Sequence, residues 1–139
     1  MRVFPDTNVL ASAFGTRGLC ADVLRLILAE HELLTAEVVV GELRDVLARK
    51  FGVPSATIRE IEAFLGGYHV EPSPRDALNL KLRDRNDVLV VTSAVNANSE
   101  ILITGDRELL QLRPKPATLQ IVDPRAFWNL AAAKRKPET

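Results

Sequence analysis

Four acidic residues stand where predicted strands end or beside apolar runs, and these side chains have the clearest capacity for chemistry. Asp6 follows the strand candidate "RVF", which Pro5 closes, and Asp106 follows "ILIT" after one glycine. Glu42 comes soon after "VVV", and Asp87 immediately precedes "VLVV". Because residues that follow parallel strands project into the crevice at the carboxyl edge of the sheet, Asp6 and Asp106 are expected to lie there. A carboxylate against apolar surface is costly unless something compensates its charge.

A divalent cation would remove this conflict. Two carboxylates brought to ~4 Å repel by about 4 kcal/mol at an effective dielectric constant near 20. Since the candidate ligands are all oxygen, with no cysteine or histidine grouping, the expected ion is Mg²⁺ or Mn²⁺ rather than Zn²⁺. Such ions activate a water for attack on phosphorus in metal-dependent nucleases. The pattern therefore indicates phosphodiester hydrolysis, with Asp6 as the shared metal ligand.

The same acids also suit ordinary helix capping. Asp6 would cap a helix beginning near Val9, and Asp106 would cap the segment "RELL". Asp84 and Asp87, three residues apart, suit a cap followed by a first-turn acid. Glu42 could belong to a solvated acidic helix face. Spacing alone leaves both interpretations open for each acid.

The elements that must position these acids alternate between short strands and helices, which is typical of an α/β domain with a parallel sheet covered by helices. The predicted strands are "RVF", "ELLT", "YHVEP", "EILIT" and "LQIVDP". Between them, apolar residues recur at helical spacing, as in "LCADVLRLILAE" and "AEVVVGELRDVLARKFG". The segment "SPRDALNLKL" is also predicted to be helical, with Ser73 as N-cap and Pro74 in the first turn. One domain is expected over residues 1–133, with a flexible basic tail over 134–139.

Composition limits the class of protein. The chain has 139 residues, and its 18 basic and 18 acidic residues cancel, so any binding to a polyanion must depend on local patches. Cys20 is the single cysteine, which excludes an internal disulfide. No leader pattern or apolar stretch of membrane-spanning length is present, so we expect a cytoplasmic protein that is not embedded in a membrane.

Three segments together resemble the PIN-domain family, in particular the toxins of VapBC-type toxin-antitoxin pairs. "DTNVLASAF" resembles the opening motif of the family, "VVVGELRDVL" its second acidic helix, and "RDRNDVLVVTSAVNANSEILITGDRELL" its third and fourth acidic motifs. The resemblance covers nearly the whole chain. It implies a three-layer α/β/α fold with a five-stranded parallel sheet, and an acidic quartet of Asp6, Glu42, Asp87 and Asp106 that binds Mg²⁺ or Mn²⁺. The implied activity is cleavage of single-stranded RNA.

The resemblance also suggests supporting residues. Asn8 and Thr104 are expected to orient carboxylates or metal-bound waters, and Asp84 to substitute partly for an acid that many relatives have where this chain has Asn86. Four basic residues flank the third and fourth acids and are predicted to hold RNA phosphates or to neutralise neighbouring acids: Lys81, Arg83, Arg85 and Arg107.

Rival functions differ in what they require. A phosphatase of the haloacid-dehalogenase type needs a second acid two residues after the first, and Asn8 occupies that position. A non-catalytic nucleic-acid or protein-binding module would gain nothing from clustered carboxylates, and an RNA-processing nuclease without a toxin role remains open. We predict a Mg²⁺- or Mn²⁺-dependent endoribonuclease, the toxin of a toxin-antitoxin pair, with RNA as substrate and an antitoxin as protein partner. The family resemblance further implies a homodimer or higher oligomer.

Overall fold

Five short parallel strands form one sheet in the computed structural model, which describes residues 1–135, with side chains as far as Ala133. The strands are β1 (Arg2–Pro5), β2 (Glu32–Ala36), β3 (His69–Glu71), β4 (Ile101–Ile103) and β5 (Gln120–Val122). Their order across the sheet is β3-β2-β1-β4-β5. All four neighbouring pairs are parallel, as the alternation of strands and helices predicts.

Seven helices connect and follow these strands in the described part of the chain. They are α1 (Thr7–Gly15), α2 (Leu19–Glu30), α3 (Glu37–Phe51), α4 (Ser55–Leu65), α5 (Arg85–Asn96), α6 (Arg107–Leu110) and α7 (Pro124–Arg135). The helix α3 ends at Gly52, whose φ of 60° is left-handed and therefore suits glycine. The predicted three-layer α/β/α architecture with a five-stranded parallel sheet is confirmed.

The central strands are the most deeply buried part of the molecule. Val3, Phe4, Leu34, Leu102 and Ile103 have at most a trace of exposed surface. These strands are buried on both faces, which explains why they are continuous apolar runs without alternation. Their rigid packing sets the position of whatever follows each strand.

The strand order reverses its direction at β1, and this reversal places two of the predicted acids side by side. From β1 the chain proceeds to β2 on one side and later returns to β4 on the other. The register aligns Pro5 with Ile103, and the backbone N–H of Asp6 donates to the carbonyl of Ile103 at 2.8 Å. Asp6 and Thr104 therefore leave the sheet next to each other. Such a switch point is where open α/β sheets bind ligands.

The predicted helix beginning after Ser73 is wrong. Residues 72–84 contain no helix or strand. From Leu78 to Arg83 the half-buried leucines alternate with exposed polar residues, and the backbone N–H of Leu78 donates to the Thr92 hydroxyl of α5 at 3.0 Å. This two-residue period suits an extended chain lying on α5, and it outweighs the capping signal of Ser73 and Pro74.

The structure describes the last helix, α7, only in part. The predicted flexible tail, residues 134–139, lies largely outside the described residues, since α7 is described only as far as Arg135. Among the described residues, no helix combines the length and the apolar character that crossing a bilayer would require.

Candidate metal centre

A buried carboxylate, Asp6, stands at the centre of the switch point. Asp6 is only 6% exposed, and it is the N-cap of α1. Its Oδ1 accepts a hydrogen bond from the backbone N–H of Thr7 at 2.7 Å, and its Oδ2 accepts from the Thr104 hydroxyl at 2.8 Å. Burial raises the pKa of Asp6, the bonds from Thr104 and Thr7 lower it, and the charge of Asp106 raises it again.

Thr104 links the ends of β1 and β4. Its side chain is fully buried, and its Oγ1 donates to Asp6 while accepting from the backbone N–H of Asp106 at 3.0 Å. A hydroxyl can do both at once, whereas an apolar side chain of the same shape can do neither. Thr104 therefore fixes the orientation of Asp6 and the course of the backbone into Asp106. The supporting role predicted for it is consistent with these contacts.

Capping and clustering turn out not to be alternatives. Asp6, Asp84 and Asp106 each cap a helix, and their side chains accept from the backbone N–H groups of Thr7, Asn86 and Glu108 respectively. The N-terminus of a helix favours a nearby negative charge. Each cap therefore places a carboxylate at the start of a helix, and these starts meet at the carboxyl edge of the sheet.

Burial and neighbouring negative charges raise the pKa values of three of the converging carboxylates, Asp6, Glu42 and Asp87. Burial, followed by the charges of Asp106, Asp84, Asp6 and Glu42 in that order, raises the pKa of Asp87 to about 6. We call these five residues the acidic cluster. They come from α1, α3, α5 and α6 and their caps, so separate segments of the chain converge here. Like charges are held together against their repulsion, which is typical of functional sites.

Glu42 reaches the cluster from α3. Burial raises its pKa, the Thr7 hydroxyl lowers it, Asp6 and Asp84 raise it, and Asn86 lowers it. The Asn86 side-chain amide donates a short hydrogen bond to Glu42 Oε2. At the position where the family resemblance suggests an acid, Asn86 is thus a neutral donor that orients the Glu42 carboxylate.

Thr7, rather than Asn8, is the polar neighbour of the first acid that faces the cluster. Thr7 is fully buried and lies near Glu42, although its Oγ1 completes no hydrogen bond of good geometry, whereas Asn8 is exposed on the first turn of α1. Because successive helical residues point about 100° apart, the position after the cap can turn inward while the next turns out. The role of Asn8 stays a prediction, and Thr7 is a residue that the motif alone did not single out.

An open cleft of about 380 Å³ gives solvent access to part of the cluster. We call it the acidic cleft, and its lining residues are Arg83, Asp84, Asp87, Asp106 and Glu108. Arg83 Nε donates to Glu108 Oε2 at 2.9 Å, and the Arg83 backbone N–H donates to Glu108 Oε1 at 3.0 Å. Glu108, which the sequence interpretation passed over, thus engages one of the predicted phosphate-binding residues.

The other three predicted RNA-binding residues are exposed. Lys81 lies on the extended segment, Arg85 begins α5 and Arg107 begins α6. Neither Lys81, Arg85 nor Arg107 lines the acidic cleft itself. Any contribution that they make to phosphate binding would come from its surroundings.

The donor set suits a hard divalent cation. All members of the acidic cluster offer oxygen, and Arg83, the cation in the cleft lining, already pairs with Glu108. Within the described residues, no group of three or more His, Cys, Asp or Glu side chains is placed so that it could hold a metal ion together.

Comparison with known proteins identifies the fold and the family. No curated protein sequence matches this chain. Among solved structures, a chain of VapBC2 from Rickettsia felis, crystallised bound to a DNA fragment from its promoter, matches with a TM-score of 0.61 at 15% sequence identity. The match covers 87% of this chain and 98% of the other. The PIN domain family model matches residues 2–108, which carry every member of the acidic cluster, and the chain therefore belongs to the PIN domain family.

Proposed function

We propose that this chain is a Mg²⁺- or Mn²⁺-dependent endoribonuclease that hydrolyses phosphodiester bonds of single-stranded RNA. The observation that carries the proposal is the convergence of carboxylates from separate elements on the switch point, where burial and neighbouring charges raise the pKa values of Asp6, Glu42 and Asp87. A protein that only bound RNA would gain nothing from this repulsion. Membership of the PIN domain family supports the same activity.

The residues that would hold the ion are Asp6, Glu42, Asp87 and Asp106. Bound there, Mg²⁺ or Mn²⁺ would activate a water at neutral pH and offset charge on the phosphate under attack. Thr104 keeps Asp6 in one orientation, and Asn86 does the same for Glu42. Asp84 caps α5 and adds negative charge beside them. Outer contacts of this kind tune metal sites.

The substrate must approach an acidic cleft although it is itself an anion. The exposed side chains of Lys81, Arg85 and Arg107 would attract the RNA backbone beside the cleft, since phosphate contacts supply most of the sequence-independent affinity. The chain has few aromatic residues, so stacking of bases would contribute little.

Cleavage of a fluorescently labelled single-stranded RNA with Mn²⁺, with and without EDTA, tests the activity. We expect Asp6→Asn and Asp106→Asn to reduce the rate by at least about 100-fold, since each removes a metal ligand. Asp76→Asn is the matched control, because Asp76 is exposed and lies outside the acidic cluster. Circular dichroism establishes that the variants are folded. Cleavage by folded Asp6→Asn and Asp106→Asn at the parent's rate would show that the metal-site hypothesis is wrong.

We further propose that the nuclease is the toxin of a toxin-antitoxin pair and acts in the cytoplasm. The fold that it shares with a chain of VapBC2 supports this role, and a partner would have to block the acidic cleft. Inducible expression should arrest growth, and co-expression of a small neighbouring open reading frame should restore it. Normal growth with active enzyme present would instead favour an RNA-processing nuclease. Light scattering of the purified protein tests the expected homodimer.

A further inference from the structure

The two walls of the acidic cleft carry like charges and lie far apart along the chain. One wall is the start of α5, with Asp84 and Asp87, and the other is the start of α6, with Asp106. All three carboxylates line the same cleft, and among the residues that the structure describes there is no cation between them other than Arg83 in the cleft lining. Repulsion between these walls must therefore be opposed by something that holds α5 and α6 together.

Arg83 and Glu108 are the residues that connect the walls. Arg83 immediately precedes the cap of α5, and Glu108 lies two residues after the cap of α6. Residues 83–96 include α5 and the two residues before it, and residues 106–111 include α6 with its two caps. In the described part of the chain, the hydrogen bonds between these two segments are the two from Arg83 to Glu108. They run from the backbone N–H and from the guanidinium Nε to the two oxygens of one carboxylate.

The geometry of this pair differs from that of an ordinary surface ion pair. Exposed pairs contribute little because both side chains must be immobilised. Here one of the two donors is a backbone N–H, so Glu108 fixes the main chain directly at the residue before Asp84. The Glu108 side chain is 29% exposed and the Arg83 side chain 93% exposed, so solvent screens the guanidinium bond, whereas the backbone bond needs no side chain of residue 83 to be immobilised.

We propose that Arg83 and Glu108 form a clamp that holds the two walls of the acidic cleft at a fixed separation against the repulsion of their carboxylates. Both are positioning residues, because they act through Asp84, Asp87 and Asp106. The consequence for metal binding rests on the proposed function. The clamp itself does not, since the repulsion exists whether or not an ion is bound.

Charge alone and the clamp predict opposite results for one of two variants. Glu108→Ala removes a negative charge and should weaken Mn²⁺ binding on either account. Arg83→Met removes a positive charge, so simple electrostatics predicts tighter Mn²⁺ binding, whereas loss of the Nε bond, which leaves Glu108 held only by the backbone N–H, predicts weaker binding. We expect Glu108→Ala to raise the dissociation constant for Mn²⁺ by about tenfold, as substitutions of outer-shell partners commonly do, and Arg83→Met to raise it by less. The double variant should be no worse than Glu108→Ala.

Isothermal titration with Mn²⁺ measures these constants, and two further variants sharpen the comparison. Arg83→Lys keeps the charge but loses the Nε donor, so it should bind Mn²⁺ less tightly than the parent. Arg49→Met breaks a remote ion pair with Asp45 on α3 and should change nothing. Tighter binding by Arg83→Met, or additive effects in the double variant, would overturn the clamp.

Amide hydrogen exchange in EDTA tests the clamp without any metal. The backbone N–H groups of Asn86 and Val88 bond to Asp84 at the start of α5. Both should exchange about three- to tenfold faster in Arg83→Met and in Glu108→Ala, while amides of the central strands stay protected. Unchanged exchange would overturn the clamp. If the parent binds no Mn²⁺, the proposed function fails, and this exchange experiment still decides the clamp.

Discussion

Asp87 should destabilise the protein at neutral pH, and replacing it with asparagine should therefore increase stability in the absence of divalent metal. The structure raises its pKa from 3.8 to about 6. The folded state thus binds a proton more tightly than the unfolded state does. The stability that this provides is fully present below pH 3.8 and is lost as the pH rises through 6.

The size of this effect follows from the shift. A pKa of 3.8 in the unfolded state and about 6 in the folded state would change the free energy of unfolding by about 3 kcal/mol if the interactions were not screened. Asp87 is only partly buried, and solvent screens its interactions, so we expect about 1–2 kcal/mol. Asp87→Asn keeps the shape of the side chain and removes the charge. The variant should match the parent near pH 3.5 and exceed it by this amount at pH 7.5.

Urea unfolding in EDTA at these two pH values measures the difference. Asp76→Asn serves as the control, because Asp76 is an exposed carboxylate outside the cluster. Adding Mn²⁺ at about 100 times its dissociation constant should stabilise the parent by about 2.7 kcal/mol and the variant by less, because a ligand is gone. The reasoning is refuted if Asp87→Asn is no more stable than the parent at pH 7.5, or if its advantage is the same at both pH values.

Three further predictions concern the supporting residues. Thr104→Val should lower the free energy of unfolding by about 1–3 kcal/mol, because it leaves the Asp6 Oδ2 and the backbone N–H of Asp106 without their bonds to Thr104. The control is Thr118→Val, because Thr118 is exposed, and equal stability of the two variants would contradict the prediction. Asn86→Asp should destabilise the metal-free protein by about 1 kcal/mol through added repulsion but tighten Mn²⁺ binding in calorimetry, and weaker binding would count against the proposed site. Gly52→Ala should lower the free energy of unfolding by about 1 kcal/mol, measured in urea, because alanine disfavours the φ of 60° at this position. No atom lies close enough to crowd a new Cβ, so the backbone conformation alone would cause the loss, and an unchanged midpoint would contradict the left-handed cap.

Much of the fold was predictable from local patterns. Short continuous apolar runs alternate along the chain with segments whose apolar residues recur at helical spacing. This alternation indicates a parallel sheet, because strands buried on both faces are apolar throughout, whereas helices buried on one face are apolar along one stripe. The position after such a strand lies at the carboxyl edge whichever order the strands take. Asp6 could therefore be placed there from the sequence alone.

The error at residues 72–84 shows how local signals compete. Ser73 and Pro74 are a legitimate start signal for a helix, and the leucines that follow alternate with polar residues instead. The extended chain forms where Leu80 and Leu82 pack against the hydrophobic core and the Thr92 hydroxyl of α5 accepts from the Leu78 N–H. A prediction from a short window of sequence cannot include such contacts with distant segments.

The sequence by itself determined which residue types could bind a metal and that two of them would follow strands. It also identified the caps, since the residues that follow Asp84 and Asp106 have the pattern of a helix. Only the tertiary structure decided that these caps meet, because the reversal of strand order at β1 brings β4 beside it. That contact spans nearly a hundred residues of chain and depends on sheet pairing rather than on spacing. Thr7 near Glu42, and Glu108 bonded to Arg83, are likewise pairs of residues distant along the chain, so the surroundings of each carboxylate are properties of the fold.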